Sequence, residues 1–76
     1  MARITPIHWR KLFKIFQLAG CVLVGTTGDH LELKKKGAIR RIVIPKYKDL
    51  PVFIIENNLK TAGISREKYF ELLKRI

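Results

Sequence analysis

The clearest pattern in the chain is His30-Leu31-Glu32-Leu33-Lys34-Lys35-Lys36-Gly37-Ala38-Ile39-Arg40-Arg41-Ile42-Val43-Ile44-Pro45. From His30 to Lys35 the side chains alternate: Leu31 and Leu33 fall on one side of an extended chain, His30, Glu32 and Lys34 on the other. A two-residue period predicts a strand with one buried face and one open face. Ile39 to Ile44 reads as the next strand, closed by Pro45, with Lys36-Gly37 as the turn between them. Taken as a two-residue hairpin, this turn sets Lys34 opposite Ile39, Glu32 opposite Arg41 and Leu31 opposite Ile42. Ile42 and Ile44 then join the leucines in the core, and Arg41 joins the open face. A slip of one residue would bury Arg41 among the leucines, which argues against it.

Upstream, Cys21 to Val24 reads as a short strand and Gly25-Thr26-Thr27-Gly28 as a turn. Before it, Thr5-Pro6 has the pattern of a helix cap followed by a first-turn proline. Trp9, Leu12, Phe13, Phe16 and Ala19 then form an apolar stripe that Gly20 ends. Downstream, a helix from Pro51 carries Ile55, Leu59 and Ala62 inward and stops at Gly63. Ser65 caps a last helix with Tyr69, Leu72, Leu73 and Ile76 at helical spacing. The order α-β-β-β-α-α predicts an α+β fold: one domain over 1–76, a three-stranded antiparallel sheet, and helices on one face.

Sixteen Lys and Arg against six Asp and Glu leave a formal charge of +10. The excess is not a tail, because every third of the chain carries more cations than acids. With 47% hydrophobic residues the chain is also too apolar for a disordered basic segment. A folded domain this positive attracts polyanions, nucleic acid before an anionic membrane or an acidic protein. The one cysteine, Cys21, excludes an internal disulfide and the usual zinc cages. Beside Val22-Leu23-Val24 it reads as a small buried hydrophobe. No apolar run has the length of a membrane span, and the N-terminus lacks a cleavable signal pattern, so the expected location is the cytoplasm.

The open face of the middle strand is where chemistry could sit. In RNA cleavage without a metal, the ribose 2′-OH attacks the adjacent phosphorus, and protons must leave that oxygen and reach the departing one. A histidine suits either transfer, so His30 is the candidate catalytic residue. Lys34 and Arg41 could meet the charge that builds on phosphorus, and Glu32 could orient the imidazole or pair with Arg41. Lys36 and Lys46 add candidate phosphate contacts, Gly28 leaves room for a phosphate, and Asp29 is a supporting neighbour. His8 reads as structural or solvent-facing. His30-x-Glu32 resembles a deaminase zinc motif but lacks its Pro-Cys-x-x-Cys, and no cofactor or metal is expected.

Gly20-Cys21-Val22-Leu23-Val24, Gly28-Asp29-His30, Arg41-Ile42-Val43-Ile44-Pro45-Lys46 and Leu59-Lys60-Thr61-Ala62-Gly63-Ile64-Ser65 occur in this order. Together, from about Thr5 to Ser65, the set resembles the HicA toxin family. The resemblance implies a fold like a double-stranded-RNA-binding domain with an added C-terminal helix. It also implies a metal-independent endonuclease acting on messenger RNA, the catalytic histidine falling on His30. The implied partner is a HicB-type antitoxin that covers the active face. Asp29, where many members have serine, and Thr61, where many have glutamine, depart from the pattern.

Two readings compete with a nuclease. One is a non-catalytic RNA-binding module, which would keep the basic surface without needing His30. The other is a helix-turn-helix DNA binder centred on Gly63, where Ser65 would cap the second helix. Glu67 and Glu71 on that helix favour a plain helical corner.

Overall fold

The computed structural model describes residues 3–76. The elements run α1 (Trp9–Leu18), β1 (Val22–Thr27), β2 (His30–Lys34), β3 (Ile42–Pro45), α2 (Val52–Ala62) and α3 (Arg66–Leu73). The sheet is antiparallel in the order β1-β2-β3, so β2 is its central strand. This is the α+β arrangement expected, with the added C-terminal helix. Leu31, Leu33, Ile42 and Ile44 from the sheet meet Leu12, Ile15, Phe16, Ile55, Leu59, Tyr69 and Leu72 from the helices in one buried cluster.

Helices α1 and α2 end in the same way. In each, a glycine just past the last turn has positive φ, Gly20 at 95° and Gly63 at 69°. The amide after it reaches back past the last turn: Cys21 to the Phe16 carbonyl and Ile64 to the Leu59 carbonyl, both at 2.9 Å. This Schellman closure satisfies orphan carbonyls, and its flanking pair (Phe16 with Cys21, Leu59 with Ile64) is buried in both cases. Ser65 caps α3 as expected, its hydroxyl accepting from the Lys68 amide at 3.1 Å. The corner at Gly63 turns α3 back onto α1, and Tyr69 and Leu72 face inward.

Several boundaries differ from the sequence reading. Helix α1 starts at Trp9 rather than Pro6, and His8, not Thr5, caps it, its Nδ1 accepting from the Arg10 amide at 3.1 Å. Residues 3–6 lie in no helix or strand, and Ile7 bridges Leu50, whose amide donates to the Ile7 carbonyl at 2.8 Å. Ile15 is fully buried in the core, which the expected stripe did not include, and Trp9 is half-buried at its rim. Strand β1 continues through Thr26 and Thr27, so the turn is Gly28-Asp29 alone. Positive φ at Gly28 but not at Asp29 is the pattern of a type II′ hairpin. A bulge between Leu23 and Gly25 absorbs the extra residue.

The β2–β3 register also differs: Leu33 faces Ile42, Glu32 faces Val43, Leu31 faces Ile44 and His30 faces Pro45. The shift from the expected pairing is two residues, so each side chain keeps its face. Residues 35–41 form a loop in place of a tight hairpin, because β3 begins only at Ile42. Lys35 anchors that loop, its ammonium donating to the Ala62 carbonyl at the end of α2 at 2.9 Å. Asn58, buried on α2, donates to the Val43 carbonyl at 3.0 Å and covers part of the outer edge of β3.

Two substitutions test this packing. Phe16 is fully buried, so Phe16→Ala should cost about 3–5 kcal/mol. That is a large part of the ~5–10 kcal/mol expected for a small domain, and thermal unfolding reads it directly. An unchanged Tm would put the stripe on the wrong side. The Tyr69 hydroxyl is buried without a hydrogen-bond partner among the described residues. Burial there also pushes its pKa up, so it stays protonated. Leaving such a group unpaired costs about 1–3 kcal/mol, so Tyr69→Phe should hold or raise the Tm. A clear fall would show that the hydroxyl has a partner.

Candidate nucleic-acid interface

The helices cover one face of the sheet over β2 and β3, and the other face is open. On it His30, Glu32 and Lys34 project from β2, while Leu31 and Leu33 are buried beneath them. His30 is the first residue of β2, between Thr27 of β1 and Pro45 of β3. Its backbone position is set on both sides: the two-residue turn fixes it to β1, and the Lys46 amide donates to the Asp29 carbonyl at 2.7 Å. Among the described residues no side chain hydrogen-bonds the imidazole, which is exposed. Asp29 contributes its carbonyl to this turn, and its side chain is exposed.

Glu32 is committed elsewhere. Its carboxylate lies 3.8 Å from the Arg41 guanidinium and leans over Gly25, where an added Cβ would come within 3.4 Å. Of the two roles open to it in the sequence, the structure shows pairing with Arg41. This pair is part-exposed, so its value lies in holding Arg41 over the open face more than in stability. Arg41 is thus held at Glu32, the next same-face residue along β2 from His30.

The other candidate cations are spread out. Lys34 is four residues along β2 from His30, about 13 Å at the usual strand rise. Lys36 lies beyond it in the 35–41 loop, at the far end of the sheet. Lys46 is close to the His30 turn through its backbone, but its ammonium sits 5.6 Å from the centre of the Trp9 ring. Gly28 occupies the turn itself. The structure therefore places Gly28, Asp29 and His30 at one end of β2, with Glu32 between His30 and Lys34 on the same face; Arg41 pairs with Glu32 from beside Ile42, the residue opposite Leu33, and Lys36 lies beyond in the loop.

Sequence reading missed an aromatic and basic cluster at the His30 end. Arg10 lies 5.3 Å from the Trp9 ring centre, and the Trp9 amide donates to the Tyr47 carbonyl at 3.2 Å. Exposed Tyr47 follows Lys46, so aromatic rings and cations alternate beside the turn. The signal was the pairing of aromatics and cations in Trp9-Arg10 and Lys46-Tyr47-Lys48, two segments that the Ile7–Leu50 bridge and the Trp9–Tyr47 hydrogen bond draw together.

Strand β1 is an uncovered edge. Val22, Leu23 and Val24 are all exposed, and no charged residue occurs from Leu18 to Gly28. Cys21, just before it, is buried, and desolvation pushes its thiol pKa up against the smaller opposing pull of Lys35. It behaves as the structural cysteine expected. Among the described residues no group of three or more His, Cys, Asp or Glu is placed to hold a metal ion, and no helix is long and apolar enough to cross a membrane.

Against known proteins, residues 9–64 match the family model described as the HicA toxin of bacterial toxin-antitoxin systems. The match spans α1 through the Gly63 corner, including the whole sheet. No curated protein matches the chain significantly.

Proposed function

This chain belongs to the HicA toxin family of toxin-antitoxin systems, and we propose that it is a metal-independent RNA endonuclease in which His30 is the catalytic residue. The observation that carries the reading is the position of His30: a bare imidazole at the start of the central strand, on the open face of a +10 protein. The 2′-oxygen of the ribose forms a bond to phosphorus as the bond to the 5′-oxygen breaks. The products are a 2′,3′-cyclic phosphate and a 5′-hydroxyl. His30 takes the 2′-proton or supplies one to the 5′-oxygen, a contribution of typically ~10²–10⁴ in rate. Arg41, held by Glu32 on the same face, meets the charge on phosphorus. Lys34, Lys36 and Lys46 hold other parts of the RNA, and the glycine at position 28 lets the backbone approach.

The partner is an antitoxin of the HicB type, which covers the same face. The uncharged apolar edge of β1 supports this placement, because it adjoins His30 through Thr27 and no described residue covers it. An exposed edge of this kind invites a strand from another protein.

The test is His30→Ala. An exposed side chain contributes little to the core, so folding should be unchanged within about 0.5 kcal/mol. RNA binding should fall only modestly, while cleavage and growth arrest on expression should be lost. A gel assay of both proteins on one RNA, with binding measured in parallel, separates these outcomes. Equal cleavage by the two would refute the catalytic role. Binding without cleavage by either protein would leave a non-catalytic RNA-binding module.

A further inference from the structure

The sheet end farthest from His30 carries a second concentration of positive charge. Five of the chain's sixteen cations fall within residues 34–41. Lys35 is bonded to the Ala62 carbonyl and Arg41 is paired with Glu32. Lys36 and Arg40 stay exposed in the loop. Across from them, exposed Lys60 on the last turn of α2 shares with Arg40 an open cleft of about 570 Å³, lined also by Gly37, Ala38, Ile39 and Thr61. Among the described residues no carboxylate lines that cleft. Like charges gathered without a counter-charge repel one another, a cost that a bound polyanion relieves.

The loop is also shaped for contact. Its base is fixed to α2 by Lys35, and the Ala38 amide donates to the Lys35 carbonyl at 3.0 Å. At its tip Ile39 is fully exposed, at 101% of its reference area. A single exposed apolar side chain is ordinary. Here it lines the same cleft as two cations, Arg40 and Lys60.

We propose that this cleft is a second RNA site, in which Arg40 and Lys60 bind phosphates and Ile39 packs against a nucleoside. The proposal rests on the RNA-binding reading above and adds the path of the strand. His30 and Lys34 are about 13 Å apart along β2, and the cleft lies beyond Lys34, so one nucleotide cannot touch both sites. The RNA runs lengthwise over the open face of β2 and turns around the end of the sheet to the last turn of α2, where Lys60 stands. One end lies at the Gly28-Asp29 turn, beside the His30 imidazole, and the other is anchored in the cleft.

The experiment measures binding of a long and a short single-stranded RNA at several salt concentrations, in the His30→Ala background so that no RNA is consumed. Circular dichroism checks that each variant is folded. For the long RNA, Arg40→Gln with Lys60→Gln should reduce the slope of log affinity against log salt by about 0.7 for each phosphate that is no longer neutralised. The advantage of the long RNA over the short one should shrink with it. Ile39→Ser should weaken binding severalfold and leave the slope unchanged, as an apolar interaction requires. Lys68→Gln with Lys74→Gln removes equal charge from the α3 side and should change the slope less. A slope unaltered by the Arg40 and Lys60 changes, or altered no more than in the α3 control, overturns the second site while wild-type binding stands. Weak, salt-insensitive binding by the parent protein would instead overturn the RNA reading itself. Variants that keep the RNA slope but lose affinity for the antitoxin would make the cleft a protein-docking surface and refute the proposal.

Discussion

The burial of Leu31 and Leu33 beneath the helices governs the rest of the structure. Because β2 has a neighbour on each edge, its backbone is paired on both sides and its register is held from two directions. With one face sealed by the core, the period of two leaves His30, Glu32 and Lys34 no position but the open face. The polar side chains are thus aimed by apolar ones. A domain of this size has little else with which to fix a surface group, and it uses its core to do so.

That constraint also explains what could be read in the sequence. The alternation of residues 30–35 and the row Ile55, Leu59, Ala62 depend on side-chain type alone, and both faces are as expected. So are the glycine stops at Gly20 and Gly63 and the Ser65 cap, where one residue type meets one backbone need. The register between β2 and β3 was not legible, because the loop length depends on Lys35 bonding the Ala62 carbonyl, a contact between residues far apart in the chain. His8 as a cap was hidden for a similar reason: Ile7 pairs with Leu50, far along the chain, and the helix starts only after that bridge. The two-residue error in register did no harm to the face assignments, since a slip by a whole period returns every side chain to its side.

In the candidate site the same economy gives a mixed result. His30 could be placed from the strand pattern, but the dispersal of its cations could not. Lys34 was expected beside the reacting phosphate and lies about two same-face positions away. Lys46 turns its ammonium to Trp9. The cation that reaches back toward His30 is Arg41, as far as Glu32, the next same-face residue. An exposed histidine with few fixed neighbours fits an enzyme whose substrate brings the reacting groups and whose control lies in a partner that covers it. The uncovered β1 edge beside it is consistent with that mode of control.

RNA cleavage by 2′-OH attack with a histidine and no metal, as proposed for this protein, leaves a chemical signature on the cut ends. The most direct measurement is the chemistry of the cut ends, determined on RNA digested by the purified protein in excess chelator. Cleavage should be undiminished, with a 2′,3′-cyclic phosphate on one fragment and a 5′-hydroxyl on the other. Cleavage abolished by the chelator, or fragments ending in a 3′-hydroxyl and a 5′-phosphate, would contradict it, because water rather than the ribose would then be the nucleophile.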